Sequence, residues 1–295
     1  MKAKLKDPRY LYKSDEFPDQ EQDKPALQDE MIPEPDCGEK GYIGHERLKG
    51  RNALITGGDS GIGRAAAIAF AREKSNVAIQ YYPGEEKDAF EVRDYIEKEG
   101  VKCLLIPIDL KEEGAGAEVV RKAYDEFGQL DILVLNAGQQ YSCEKLSELS
   151  MKQVRETFDI NIISMFESVK EAEKYLEPGS SIITTSSIQA FQPSANLMNY
   201  ACTKAAIWNF TKSLAEYFAE KGIRVNSVAP GPIWTPLQLD DGQPDGKIPE
   251  FGQKSLLGRA GQPVELAPVY VFLASDEASY VTAQVYGVTG GDTLC

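Results

Sequence analysis

The stretch Thr56-Gly57-Gly58-Asp59-Ser60-Gly61-Ile62-Gly63-Arg64 stands between a β-branched apolar run at 53–56 and an alanine-rich helical period at 62–73. Glycine lets a chain turn sharply and approach a phosphate, whose charge the N-terminus of the following helix favours. A tight strand-to-helix turn is the plain alternative. Further apolar runs lie at 77–81, 103–108, 132–136, 181–186, 223–228 and 285–288, with helical periods between them at 85–99, 117–127, 151–176, 198–220 and 264–274. Strands apolar on both faces, alternating with helices, require a parallel sheet covered on both sides. The expected fold is an α/β, doubly wound parallel sheet of about seven strands, one domain over residues 46–295. A glycine turn after the first strand of such a series reads as a dinucleotide site.

Composition narrows the function classes. The chain has 295 residues, 42% apolar and 26% charged, which suffices for a sizeable core. Lysine and arginine number 32 against 46 acids, a net charge of −14. That field repels nucleic acid and anionic lipid, so neither is an expected partner. His45 is the single histidine, so Ser-His-Asp chemistry would hang on one residue and most zinc hydrolase patterns fall. Cys37, Cys103, Cys143, Cys202 and Cys295 are odd in number with no CxxC pair, which fits a reducing cytoplasm. No run of eighteen apolar residues and no export signal is read, so a cytoplasmic location is expected.

Residues 1–45 carry five prolines, many charges and no apolar period. They read as an arm, either a solvated tail or a strap pinned by Tyr10, Tyr12, Phe17, Leu27, Met31 and Ile32. Toward the C-terminus, residues 231–261 are rich in glycine and proline and too long for an ordinary connection. Leu237, Ile248 and Phe251 would anchor that stretch as a lid.

Four motifs in order, TGGDSGIG at 56–63, Leu135-Asn136-Ala137-Gly138, Tyr200-Ala201-Cys202-Thr203-Lys204 and Pro230-Gly231, resemble the short-chain dehydrogenase/reductase family over about residues 48–295. The turn together with the acidic arm is similar to a bacterial subgroup labelled oxidoreductase or general-stress protein. The resemblance implies a Rossmann-type fold, a homotetramer, and hydride exchange between a nicotinamide cofactor and a small alcohol, aldehyde or ketone, with no metal. Tyr200 and Lys204 lie four apart on a predicted helix, on one face with a rise of roughly 6 Å. The phenol ordinarily titrates near about 10, and the lysine together with a cationic nicotinamide ring is expected to lower that toward the range of general acid–base work. The family pattern places the substrate-orienting serine at Ser187, with Ser186 the alternative, and the water-holding asparagine at Asn161. Tyr217 and Lys221 repeat the spacing as a decoy.

The cofactor contacts implied by the resemblance are Gly57, Asp59, Ser60, Gly61, Ile62 and Gly63 in the turn, and Tyr81 at the end of the second strand. Asp109 and Leu110 follow the third strand, with a helix-capping role open for Asp109. Asn136, Ala137 and Gly138 follow the fourth, Tyr200 and Lys204 lie on the helix, and Pro230, Gly231, Ile233 and Thr235 follow the sixth. The second strand ends in Gln80-Tyr81-Tyr82-Pro83, without the acid that marks NAD. Asp59 would oppose a further phosphate, so the reading leans to NAD over NADP, with Arg64 or Lys87 able to reverse it. Gln139, Gln140, Gln189, Gln192 and Trp234 are candidate substrate contacts, or solvated loop tips. A non-catalytic dinucleotide-binding stress or redox sensor is the alternative function. An enoyl reductase of the same fold would want a lysine where Ile207 stands.

Overall fold

The structure is a computed structural model that describes residues 5–13 and 15–294; Cys295, the last of the five cysteines, lies outside them. Seven strands form the sheet: β1 Asn52–Thr56, β2 Asn76–Tyr81, β3 Cys103–Pro107, β4 Ile132–Leu135, β5 Ser181–Thr185, β6 Arg224–Pro230 and β7 Val285–Val288. The helices are α1 Gly61–Arg72, α2 Glu86–Lys98, α3 Ala115–Phe127, α4 Met151–Phe158, α5 Ser164–Ala172, α6 Met198–Ala219 and α7 Ala267–Ala274. Every neighbouring strand pair is parallel, in the order β3-β2-β1-β4-β5-β6-β7. Chain direction across the sheet reverses between β1 and β4, and the crevice at that switch is where such sheets take ligands.

Alternation along the strands builds two cores. Ala53, Ile55, Val77 and Ile79 face α1, α2 and α7, whereas Leu54 and Ala78 face α3, α5 and α6. Both faces are buried, which is why the strands read as continuous apolar runs. Among the described residues, no helix is long and apolar enough to cross a membrane.

The predicted helix at 151–176 is interrupted. A π-helical turn, Asp159–Ile163, separates α4 from α5. Its inserted residue breaks the 3.6-residue period, and such bulges often mark functional positions. Asn161 sits inside it, fully buried.

The arm packs against the body. Phe17 is 3% exposed and stacks on Trp234, ring centroids 4.0 Å apart and planes 11° off parallel. Ala26 and Met31 join them in a separate apolar cluster with Leu239, Ile248 and Ala260. Trp234 Nε1 donates to Pro33 O at 2.7 Å. Arg259 donates to Pro8 O and lies over the Tyr12 ring. Tyr10 and Ile32, expected as pins, are exposed, and Leu27 is half-buried. Where the arm meets β1, the buried Glu73 carboxylate accepts from Tyr42 Oη, His45 N and Arg47 N. Burial alone would raise its pKa, but the Arg47 guanidinium and these donors hold it at about 2.

Candidate active site

A cleft of about 370 Å³ opens at the carboxyl ends of β1, β4, β5 and β6. Its floor is the glycine turn. Gly57 has φ +60°, and a Cβ on Gly63 would lie 1.8 Å from Gly57 O. Only glycine lets α1 start this close to β1. Asn136 Nδ2 donates to Thr56 O at 3.2 Å and to Gly57 O at 3.1 Å, pinning the turn to the end of β4. Gln80 pins it from the other side: its Oε1 accepts from Gly57 N at 3.0 Å while its Nε2 donates to Ile108 O at 2.8 Å. The residue found where an acid was sought is therefore a brace.

Tyr200 and Lys204 both line the cleft, on consecutive turns of α6, and both are buried. Lys204 Nζ donates to Thr185 O at 2.9 Å and lies 5.2 Å from the centre of the Tyr200 ring. Ser187 lines the cleft beside Tyr200, and its oxygen accepts from Gln189 N at 3.1 Å. Ser186 instead donates to Lys204 O at 2.9 Å, facing the helix backbone. Burial pushes the Tyr200 phenol up to about 12, against the lowering by Ser187. Burial pushes Lys204 down to about 7. In the chain by itself desolvation thus disfavours both charged forms, and the lowering expected from Lys204 together with a cationic nicotinamide ring belongs to the loaded site.

Asn161 stands behind the cleft. Its Oδ1 accepts from Gln139 N at 2.7 Å, and its Nδ2 donates to Gln139 O and to Thr203 Oγ1. Through these bonds its carboxamide ties the β4 loop to α6 from within the π-turn. Tyr217 Oη donates to Glu173 on the surface, where Lys221 pairs with the same carboxylate, far from the cleft lining.

Of the expected cofactor contacts, Gly57, Asp59, Ser60, Gly61 and Ile62 line the cleft. So do Asp109, Leu110, Asn136, Ala137 and Gly138, and Pro230, Gly231, Ile233 and Thr235. Gly63 and Tyr81 do not: the first packs on Gly57 O, and the second is buried in the core between β2 and α2. Asp109 also accepts from Lys111 N at 2.9 Å in the turn after β3, but α3 begins only at Ala115 with Gly114 as its N-cap, so the helix-capping alternative does not hold.

Among the substrate candidates only Gln139 lines the cleft. Trp234 is fully buried under Phe17. Gln140 donates to Gly242 O, Gln189 pairs with Ser194, and Gln192 reaches Thr293 O. Each uses its amide to hold loop backbone.

A family model described as "Enoyl-(Acyl carrier protein) reductase" matches residues 57–293. The chain is 56% identical over 290 residues to an uncharacterized oxidoreductase, YghA, of Escherichia coli, covering 98% of this chain and 99% of that protein. The chain belongs to the short-chain dehydrogenase/reductase family. A plant member, the NADPH-dependent aldehyde reductase 1 of Arabidopsis thaliana, is 42% identical across 91% of this chain and 95% of its own length. Among solved structures, a short-chain dehydrogenase from Burkholderia cenocepacia in complex with NADP superposes with a TM-score of 0.77 at 29% identity, covering 83% of this chain and 98% of that one.

Several lining residues of this short-chain dehydrogenase/reductase had no signal in its motifs. Lys24, Pro25 and Ala26 come from the arm, Glu85 from the β2–α2 turn and Asp240 from the loop after β6. Asp59 is buried, and its Oδ2 has no partner among the described residues. Burial and then the nearby Asp88 carboxylate hold Asp59 well above the usual carboxylate range. Glu85 is raised by burial and by Asp59, and burial takes Asp88 up to about 6. Arg64 is committed to Glu39 and Glu91, and Lys87 to Asp29, so neither points a free cation at this end. The lean to NAD drawn from Asp59 finds no support in the NADP complex of the Burkholderia protein.

Lys204 has a testable cost. It titrates at about 7 in the folded chain against an ordinary 10.5, so between those values the unfolded chain holds a proton that the folded chain lacks. Its contribution to stability therefore rises with pH across that window. Lys204→Met is expected to raise the melting temperature, most at or below pH 7 and progressively less toward pH 10.5. Thermal melts across that range check it; a gain independent of pH would contradict the shift.

Proposed function

We propose that the chain is an NAD(P)-dependent oxidoreductase that interconverts a small polar alcohol with its aldehyde or ketone in the cytoplasm. Residues 46–295 form the catalytic domain and 1–45 the arm. The observation that carries this reading is the convergence of Tyr200, Ser187 and Lys204 at one end of a cleft whose other end is the glycine turn. The cleft suits a dinucleotide. The turn is a cradle that any Cβ at Gly63 would fill, α1 points its N-terminus at it, and the unpartnered Asp59 Oδ2 is an acceptor for a ribose hydroxyl.

Bound there, a nicotinamide dinucleotide would supply the ring that exchanges a hydride with the substrate carbon. Tyr200 holds the proton that the substrate oxygen gains or loses. Ser187, whose oxygen already accepts from Gln189 N, keeps its O–H to donate to that oxygen. Lys204, fixed by Thr185 O, brings a positive charge that opposes the rise burial imposes on Tyr200. Gln139 and Asp240, which both line the cleft, favour a polar substrate. Enoyl reduction fits less well, because the position that wants a lysine holds the fully buried Ile207.

Tyr200→Phe removes only the proton donor, so turnover is expected to fall about 10²–10⁴-fold with cofactor affinity near wild type. Tyr217→Phe should leave turnover unchanged. A screen of aldehydes, ketones and polyols with both cofactors identifies the substrate, and steady-state kinetics on it decide.

At the adenosine end Asp59 and Glu85 line the cleft and would oppose a 2′-phosphate, and Arg64 and Lys87 are already paired. NAD(H) is expected to bind more tightly than NADP(H), with the ratio shrinking as pH falls and these carboxylates take up protons. Calorimetric titration of both cofactors at two pH values tests this; tighter NADP(H) binding at alkaline pH would overturn it.

A homotetramer is the proposed assembly. Phe166 on α5 is 51% exposed and stacks on Phe210 of α6, with exposed Ile163 and Met151 beside the same helices. An apolar face of this kind ordinarily pairs with a symmetry-related copy. Light scattering at micromolar concentration is expected to report four chains, and a monomer would refute the assembly.

A further inference from the structure

The arm does more than cover a face of the domain. Lys24 Nζ pairs with Asp241 Oδ2 at 3.0 Å and lies 3.8 Å from Asp240 Oδ1, both in the loop after β6. The next residue, Pro25, packs on the opposite wall: a Cβ on Gly84, in the turn leading into α2, would lie 3.3 Å from Pro25 Cγ. Two consecutive arm residues therefore touch the two sides of the cleft, and both line it together with Ala26.

Both ends of this crossing are anchored by buried contacts. Upstream, Phe17 N donates to Pro249 O and its ring stacks on Trp234, within the loop after β6. Downstream, Gln28 is fully buried. Its backbone N donates to Asp88 Oδ2 at 2.7 Å, and its Oε1 accepts from Gly61 N at 2.8 Å, at the first residue of α1. Ser60, the residue preceding α1, makes no such capping bond. The arm thus joins the substrate loop to the glycine turn.

We propose that residues 24–26 are a strap over the dinucleotide cleft, and that cofactor exchange waits on its opening. This rests on the reading that a dinucleotide occupies the cleft. A ligand running from the glycine turn to Tyr200 passes beneath the crossing, because the residues at both of its ends and the strap line one continuous cavity. A strap of this kind slows entry and exit together and changes affinity little, since it stands in the path equally in both directions. A residue that only touches the cofactor would change exit and affinity and leave entry alone.

The test is stopped-flow binding and release of NADH and NADPH on the full chain, read by nicotinamide fluorescence. Phe17→Ala, which frees the upstream anchor, is expected to speed association and dissociation by a similar factor, several-fold, with a smaller change in Kd. Lys24→Glu should speed both about threefold, the scale of a partly exposed ion pair, and adding Asp241→Lys should restore the wild-type rates. Unchanged rates in both single variants would overturn the strap, as would faster release at unchanged association. Wild-type chain that binds neither dinucleotide would defeat the proposed function as well; binding with insensitive rates defeats the strap alone.

Discussion

The cleft depends on how closely α1 can begin beside the end of β1. With no side chain on Gly63, the helix starts against the carbonyl oxygen of Gly57, where a Cβ would lie 1.8 Å away. That contact brings the positive end of α1 to the switch point of the sheet, and it needs fixed surroundings because a glycine-rich turn loses much entropy on folding. Asn136 and Gln80 provide them, one from the end of β4 and one from β2, through hydrogen bonds to the turn's own backbone. Both amides are buried or nearly so. Loss of either would leave backbone groups unsatisfied, which costs more than the bond itself contributes.

The end of the cleft that holds Tyr200 and Lys204 is governed by desolvation. Tyr200 and Lys204 sit in one buried pocket where each loses water, and neither gains a buried counter-charge among the described residues. Burial therefore works against tyrosinate and against ammonium at once. Charge brought in with a cofactor changes that balance. The site is thereby tuned to the loaded state, and the stability cost is carried by the folded protein at neutral pH.

The arm links these two ends through a path that runs outside the sheet. Phe17 seats Trp234 and with it the loop after β6; Gln28 seats the first amide of α1; Glu73 gathers Tyr42, His45 and Arg47 where the arm enters β1. The loop after β6 is consequently held by a separate apolar cluster of arm residues and its own, in which the expected anchors Ile248 and Phe251 take part. Trp234, which read as a substrate contact, serves that cluster.

Much of this protein is legible in its linear sequence because the relevant spacing is local. The β-branched runs, the helical periods and the glycine turn specify a parallel α/β sheet, and Tyr200 and Lys204 share a helix face by a spacing of four. The family spacing favoured Ser187 over Ser186, and the fold supplies the physical reason, since adjacent residues at a strand end point different ways and the α6 backbone claims Ser186. The π-turn at Asn161 was hidden because one inserted residue leaves an apolar helical pattern almost unchanged. Gln140, Gln189, Gln192 and Trp234 brace loops where Gln139 lines the cleft, because an amide or an indole has the same composition whether it faces a ligand or holds a backbone. Contacts such as Gln28 with Gly61, or Lys24 with Asp241, join residues tens to hundreds of positions apart. No periodicity encodes them: they exist only once the folded sheet and the loop after β6 give the arm a surface on which to bury its aromatic and polar groups.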